Sequence, residues 1–163
     1  MNVPKHAFPP PEITLRAAAV ADVPAIHALL RPFVMNDQLL GRTEAELAEM
    51  TRHGFLASVD LPSNTTQAKN ESGERIVGFA AVEIYSTKLA ELQCLAVHPE
   101  YQHRGVGRQL VQRCIDRARD LDIMEVLAIS ASEDFLRSCG FDYSLPHQKK
   151  ALFCQLRPRP KDR

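Results

Sequence analysis

The sequence predicts a single α/β domain in which helices lie on the faces of a mixed β-sheet. The 163 residues suffice for one ordinary domain with a hydrophobic core and leave little room for a second. Strand-like and helix-like segments are interspersed without strict alternation, which is typical of a layered domain with a mixed sheet. The composition, with 45% apolar and 25% charged residues, is that of a globular protein and not of a disordered chain.

The N-terminal half is predicted to hold two helices between two strands. Asp22 has the residue type and position of an N-cap for the first helix, whose apolar residues recur at every third or fourth position from Val23 to Phe33. Thr43 and Glu46 have capping-box spacing, so the second helix should start after Thr43. In order, we expect a Pro-rich tail at 1–11, a strand at 13–17, the two helices, the second ending near 53, a strand at 55–59 and a surface loop at 61–73.

The C-terminal half is predicted to contain strands around two further helices. His98-Pro99 should end a strand in a turn, because the residue before a proline favours extended geometry. After Gly107 the apolar residues recur with helical spacing, and Gly140 is placed to end a short helix. We expect strands at 76–85 and 90–97, a helix after 107, a strand at 125–129, a helix at 132–138, and strands near 141–145 and 151–156.

Charge and hydropathy exclude several classes of partner. Twenty Lys and Arg residues balance twenty Asp and Glu residues. Proteins that bind nucleic acid or anionic membranes through charge usually have a large positive surplus, so neither partner is expected. No apolar run approaches the roughly 20 residues that cross a bilayer, and the N-terminus lacks the apolar core of a secretory signal. The sequence therefore predicts a cytoplasmic protein.

The cysteines do not have the spacing of a metal site. Cys94, Cys114, Cys139 and Cys154 form no C-x-x-C pair, and no histidine completes a zinc pattern. We therefore expect reduced core residues and no metal.

The most informative segment runs from a strand through residues 98–107 into an amphipathic helix. A helix N-terminus leaves backbone N–H groups unpaired, and glycines such as Gly105 and Gly107 let the backbone approach a ligand closely. Five arginines stand against two aspartates between residues 101 and 120. Together these features predict an anion cradle; the alternative is that the two glycines only shape the turn.

The sequence does not match either of two common nucleotide-binding motifs. A dinucleotide G-x-G-x-x-G would require glycine at Leu110. Gly73 and Gly78 have the spacing of a Walker loop, but Phe79 follows where lysine is required.

The segment resembles the acetyl-coenzyme A signature of the GNAT N-acetyltransferases. The match is Q-x-x-G-x-G after a strand ending in L-A-V-x-P, formed by Leu95-Ala96-Val97, Pro99, Gln102, Gly105 and Gly107. The resemblance implies a mixed, mostly antiparallel, twisted sheet flanked by helices, forming one acetyltransferase domain over residues 12–157 between a 1–11 tail and a 158–163 tail. It also implies acetyl-CoA as cosubstrate.

The resemblance assigns the cofactor contacts mostly to the backbone. The N–H groups of residues 103–108 would bind the pyrophosphate, and the edge of the strand at 92–97 would pair with the pantetheine arm like an added strand. One N–H of Leu95, Ala96 or Val97 would serve as a one-donor oxyanion hole, and the choice among them stays open. The expected cofactor-binding residues are Leu95, Ala96, Val97, Gln102, His103, Arg104, Gly105, Val106, Gly107 and Arg108.

Within the family the sequence is most similar to the acetyltransferase domain of N-acetylglutamate synthases. The similarity covers I-H-A-L-L-R-P-F at 26–33, Leu39-Leu40 with Arg42, and A-E-L-Q-C-L-A-V-H-P at 90–99. Ala131 departs from the pattern, because such enzymes have an arginine before the short helix that holds a substrate carboxylate.

Acyl transfer from a thioester to an amine needs a base for the amine proton. Glu91 is the candidate, because strand alternation would place it on the same face as Gln93, Leu95 and Val97. Its carboxylate would take the proton directly or through a water molecule. Glu83 on the neighbouring strand is the alternative.

The leaving thiolate also needs a proton. Family members often supply it from a tyrosine, but Leu136 occupies that position here. Ser130, Ser132 and Tyr143 are the candidate catalytic substitutes, and direct proton exchange with the amine is a further possibility.

The expected acceptor is a small amine, with an amino acid as the favoured class. Arg31 and Arg42 flank the helix-to-helix loop that forms the acceptor lid in GNAT enzymes, and Lys150 lies at the start of the last strand. These three are the candidate substrate-binding residues. A peptide or protein acetyltransferase and a non-catalytic acyl-CoA sensor are the alternatives, and the edge of a C-terminal strand would allow a homodimer.

Overall fold

The computed structural model describes residues 11–60, 73–130 and 132–143. Within these ranges five strands form one sheet in the order β1-β2-β3-β4-β5. The first three pairings along the sheet are antiparallel, and β4 pairs with β5 in parallel. The strands are β1 (Ile13–Ala17), β2 (Gly54–Asp60), β3 (Glu74–Ile84), β4 (Leu89–Val97) and β5 (Glu125–Ala128). The predicted mixed, mostly antiparallel sheet is confirmed.

Helices cover both faces of this sheet. The described helices are α1 (Val23–Met35), α2 (Glu44–Met50), α3 (Val106–Asp120) and α4 (Glu133–Ser138). One apolar cluster, including Ile26 and Leu47, packs α1 and α2 against one face. A second cluster, including Leu110 and Leu136, packs α3 and α4 against the other. Short 3₁₀ turns precede α1, follow α2 and follow β4.

Two predicted helix ends are confirmed. The side chain of Thr43 accepts a hydrogen bond from the N–H of Glu46, and Glu46 accepts one from the N–H of Thr43, which completes the capping box. At the end of α4, Gly140 has a φ of 94°. Its N–H and that of Phe141 donate to carbonyl groups in the last turn of α4, as in a Schellman motif.

Asp22 occupies the N-cap position of α1, as predicted, but its side chain makes no capping hydrogen bond to that helix. It instead accepts hydrogen bonds from the guanidinium of Arg16, at 2.7 and 2.8 Å, and from the N–H of Ala19. The carboxylate is buried, so it requires a charged partner, and Arg16 on β1 provides one.

Several C-terminal predictions fall outside the described residues. Residues 141–143 belong to no strand, which does not agree with the strand expected near 141–145. The expected strand at 151–156, the loop at 61–72, Ala131 and Cys154 lie outside the described ranges. Cys94 and Cys114 are free and buried, as predicted, and Cys139 is free and half-buried. Among the described helices, none has the length and apolar composition to cross a membrane.

Candidate active site

The candidate site is organised by a β-bulge in the middle of β4. Phe79 pairs with Ala96 and Ala81 pairs with Gln93, so two residues of β4, Cys94 and Leu95, lie opposite one residue of β3. Cys94 has a φ of 54°, which is uncommon for a residue other than glycine. A bulge of this kind bends a strand and redirects its side chains.

The bulge reverses the alternation of side chains along β4. Leu92, before the bulge, packs in the cluster under α3, whereas Cys94 packs in the cluster under α1 and α2. Leu95 and Val97 then face the α3 side again. Glu91 therefore lies on the same face as Gln93, as expected, but the prediction that this face includes Leu95 and Val97 is wrong. Strict alternation fails because the bulge inserts one extra residue.

Beyond the bulge, one edge of β4 has no strand partner among the described residues. The parallel pairing with β5 ends at Leu92 and Ala128. The N–H of His98 donates to Val77 of β3, so the N–H of Ala96, two residues earlier, also faces β3. The N–H groups of Leu95 and Val97 consequently point to the open edge. Of the three backbone donors predicted from sequence, only these two face the opening between β4 and β5.

The turn after β4 is held by its own side chains. The Nε2 of Gln102 donates to the carbonyl of Val97 at 2.9 Å. His103 and Gly105 have φ values of 60° and 81°, and Gly105 immediately precedes α3. The left-handed conformation at Gly105 explains the requirement for glycine at this position.

The first turn of α3 presents unpaired donors. The N–H of Gln109 donates to Gly105 at 3.1 Å. Within the described part of the chain, the N–H groups of Val106, Gly107 and Arg108 donate no such hydrogen bond. Three unpaired backbone donors at a helix N-terminus are an arrangement suited to an anion, and the anion cradle itself stays a prediction.

Arginines surround this helix start. Arg104 lies over the ring of Tyr101, with its Cζ 5.2 Å from the ring centroid. Arg108 donates to the carbonyl and, at 3.1 Å, to the hydroxyl of Ser138, which links α3 to α4. For the described residues between 101 and 120, the ion pair is that of Arg119 with Asp116. Among the described residues, Arg104 and Arg108, which flank the helix start, form no ion pair, so their charges stay unneutralised there.

Gly107 has a packing role that the sequence did not indicate. A methyl group at this position would lie 3.3 Å from Cζ of Phe135 on α4 and 3.7 Å from Cγ2 of Val97. The absence of a side chain therefore lets α3 approach α4 and β4 closely.

Replacing Gly107 with valine is expected to lower the free energy of unfolding by about 2 kcal/mol, because the added methyl groups overpack the contact with Phe135. Chemical denaturation measures the change. The double variant Gly107→Val, Phe135→Leu should recover part of the loss, since the smaller side chain makes room. Unchanged stability in the single variant would contradict this packing role.

On the opposite face of β4, five polar side chains form one network. Arg42 Nη2 donates to Gln93 Oε1 at 2.8 Å. Gln93 Nε2 donates to Glu83 Oε2 at 2.5 Å and to the hydroxyl oxygen of Tyr85 at 3.3 Å. The hydroxyl of Tyr85 donates to Glu91 Oε2. Glu91, the predicted base, is half-buried at one end of this network.

The sequence alone did not indicate Tyr85 as a member of this network or Gln93 as the link between Arg42 and Tyr85. Their positions follow from hairpin pairing, because β3 and β4 are joined by a short turn that sets Glu83 opposite Glu91. Pairing the two predicted strands through that turn would have brought these side chains together.

A cavity of about 570 Å³ adjoins the network on the side of α2. It is lined by Arg42, Ala45, Glu46, Glu49, Met50, Arg52, His53, Glu83 and Ile84. Arg52 pairs with Glu49 at 3.3 Å. Burial and the neighbouring guanidinium groups of Arg117 and Arg52 hold the pKa of His53 below its ordinary value, so this ring is neutral near pH 7.

The three predicted acceptor-binding residues differ in their distance from the cavity. Arg42 lines it and is half-buried beside Gln93, whereas Arg31 lies exposed on α1 and is not among the lining residues. Lys150 lies outside the described residues.

The three candidate thiolate acids lie around α4. Ser130 Oγ accepts a hydrogen bond from the N–H of Ser132 at 3.0 Å, and the hydroxyl of Tyr143 donates to Glu133 at 3.0 Å. This interaction with Glu133 raises the pKa of Tyr143 above its ordinary value. Leu136, in the position where the family often has tyrosine, is buried in the core. In the described part of the chain, no hydrogen bond joins these groups to the network around Glu91.

The chain is similar to known acetyltransferases. Residues 30–141 match the model of the Acetyltransferase (GNAT) family. The amino-acid acetyltransferase of Aeromonas salmonicida is 31% identical over 144 residues, which cover 85% of this chain and 30% of that protein. An uncharacterized N-acetyltransferase of Chlorobaculum tepidum is 25% identical over 82% of this chain and 78% of its own length. The chain thus spans under a third of the amino-acid acetyltransferase that it matches.

Solved structures have the same fold. The N-acetylglutamate synthase of Neisseria gonorrhoeae, complexed with coenzyme A and N-acetyl-glutamate, superposes with a TM-score of 0.63 at 28% identity, over 82% of this chain and 28% of that chain. Rv2747 of Mycobacterium tuberculosis, solved in complex with CoA, superposes with a TM-score of 0.62 at 25% identity, over 78% of this chain and 70% of that chain.

Proposed function

Because the chain belongs to the GNAT acetyltransferase family, we propose that it transfers the acetyl group of acetyl-CoA to the amine of a small hydrophilic molecule, with amino acids as the favoured class. The observation that carries this proposal is the open edge of β4 leading to the unpaired N–H groups of α3. Such an edge accepts an extended chain containing amides, and a helix N-terminus accepts phosphate.

In this proposal acetyl-CoA is the substrate held between β4 and α3. The N–H groups of Val106, Gly107 and Arg108 bind its pyrophosphate, in a segment with surplus positive charge. The pantetheine arm pairs with the free edge of β4. The N–H of Leu95 or Val97 donates to the carbonyl oxygen of the thioester, where negative charge develops during the reaction.

Glu91 is the general base of the proposed reaction. The amine nitrogen attacks the thioester carbonyl carbon, a C–N bond forms and the C–S bond breaks. The Glu91 carboxylate takes the proton released by the amine, directly or through water. The departing thiolate receives its proton from Ser130, Ser132 or Tyr143. In the alternative in which the amine itself supplies this proton, Glu91 first deprotonates the acceptor's ammonium form, and the proton released on attack passes directly to the thiolate.

Charged groups in the cavity lining support an acceptor that has polar groups. The lining includes Arg42, Glu46 and Glu83, which a wholly apolar amine would leave without partners. Ala45, Met50 and Ile84 supply apolar surface for the rest of the acceptor. Arg31, Arg42 and Lys150 are the groups proposed to contact an acceptor carboxylate. The similarity to amino-acid acetyltransferases supports the same class.

The test is release of free thiol from acetyl-CoA in the presence of an amine panel containing glutamate, aspartate, lysine, polyamines and short peptides. Turnover is expected with at least one free amino acid. Activity with peptides alone would select a peptide N-acetyltransferase instead, and no turnover across the panel would contradict the proposal.

One observation favours a second candidate, a non-catalytic acyl-CoA sensor. The position of the usual thiolate acid holds Leu136, which is buried among apolar residues and carries no proton to donate. Calorimetry that finds tight acetyl-CoA binding by a protein without turnover would select the sensor.

A further inference from the structure

In the hydrogen-bond chain from Arg42 through Gln93 and Tyr85 to Glu91, each group donates to the next. An arginine side chain can only donate, so the Arg42 guanidinium identifies the Gln93 atom that it touches as the carbonyl oxygen Oε1. The amide nitrogen of Gln93 must then face Glu83 and Tyr85 as a donor. Arg42 thereby sets the orientation of the Gln93 amide.

The same reasoning sets the hydroxyl of Tyr85. Its oxygen accepts from Gln93, and its single hydrogen is donated to Glu91 Oε2. Burial, followed by the contact with Glu91, raises the pKa of Tyr85 to about 12. The hydroxyl therefore stays protonated, and available as a donor, throughout the neutral range.

Glu91 is held at one oxygen and free at the other. Among the described residues, Oε1 of Glu91 accepts no hydrogen bond. Neither Glu91 nor its cross-strand partner Glu83 forms an ion pair within the described ranges. Two carboxylates directly opposite each other repel, so the neutral donors Tyr85 and Gln93 are what stabilises this arrangement.

We infer that Tyr85 is a positioning residue for the reaction: its hydroxyl holds Oε2 of Glu91 and leaves Oε1 for the amine proton, while Gln93 and Arg42 orient Tyr85 itself. The inference rests on the proposed function, in which Glu91 is the base. It explains why a half-exposed tyrosine at the end of β3 and a glutamine within β4 belong to the same network.

The test replaces Tyr85 with phenylalanine, which removes only the hydroxyl. We expect kcat to fall about tenfold, the effect of losing one hydrogen bond to a charged group. KM for acetyl-CoA should not change, because the proposed cofactor cradle is elsewhere. The melting temperature should fall by only about 2–4 °C, the effect of losing one hydrogen bond in a domain of this size, because the half-exposed ring remains. Thr87→Val, which removes a hydroxyl in the same hairpin turn, is the control and should keep the wild-type kcat.

A double-mutant cycle separates positioning from a general structural effect. In a Glu91→Gln background, Tyr85→Phe should lower kcat no further, because the carboxylate that Tyr85 holds is gone. An equal tenfold loss in both backgrounds, or full kcat for Tyr85→Phe in an active wild-type protein, would overturn the inference. Absence of turnover by the wild type overturns the proposed function first, and the role of Tyr85 with it.

Discussion

Replacing Glu91 with glutamine is expected to lower kcat by about 10²- to 10⁴-fold, the usual contribution of a general base. Glutamine keeps the shape of the side chain and can accept a hydrogen bond from Tyr85, but it cannot take the amine proton. The acetyl-CoA dissociation constant should stay at the wild-type value, because the cradle at α3 lies beyond the bulge and does not contact Glu91. Steady-state thiol release and calorimetry measure the two quantities.

A matched control for this variant lies on the next strand. Glu125 on β5 is exposed, and among the described residues its carboxylate has no hydrogen bond or ion pair. Glu125→Gln makes the same chemical change in the same sheet and should keep full activity. A Glu91→Gln protein that binds acetyl-CoA and retains the wild-type rate would remove Glu91 as the base and leave Glu83 as the alternative.

Replacing Gly105 with valine is expected to weaken acetyl-CoA binding at least about a hundredfold, the effect of losing two charge-assisted hydrogen bonds. Gly105 has a φ of 81°, where a side chain strains the backbone by about 1–2 kcal/mol. Relief of that strain turns the first peptide groups of α3, so their N–H groups no longer converge on one anion. Isothermal calorimetry with acetyl-CoA or CoA measures the loss.

Gly73 provides a control with the same backbone geometry. It also has a φ of 81°, and, its chain neighbours aside, no atom of the described residues lies within 4 Å of the place where its Cβ would be. It immediately precedes β3, away from the turn between β4 and α3. Gly73→Val should therefore lose a similar amount of stability and keep wild-type affinity for CoA. Equal affinities in both variants would contradict the cradle.

The elements that depend on local sequence were predicted well. The capping box at Thr43, the strand before His98-Pro99 and the amphipathic helix each follow from short-range signals, although the helix begins at Val106 and not after Gly107 as predicted. The predicted membership of the GNAT family, carried by seven residues of the turn and its flanks, is confirmed by the match over residues 30–141. Such signals are local because a helix cap and a helix N-terminus are made by residues within one turn of each other.

The predictions that failed concern how side chains are oriented within correctly placed elements. Asp22 lies at the N-cap of α1, but its buried carboxylate accepts from Arg16 and Ala19 instead of from α1. Strict alternation predicts the faces of β4, and the bulge at Cys94 reverses them for Leu95 and Val97. The spacing of neighbouring residues specifies neither outcome, because one depends on burial of a carboxylate and the other on pairing with β3.

The sequence by itself determined the family and the kind of sheet, since these follow from motifs of contiguous residues. Hairpin pairing of β3 with β4 brings Tyr85 and Gln93 to Glu91, and the sequence could have indicated it. Only the tertiary structure decided that Arg42 reaches Gln93 from the loop before α2, 51 positions earlier in the chain. Contacts of this kind are made by the packing of α2 on the sheet, and no local pattern specifies them.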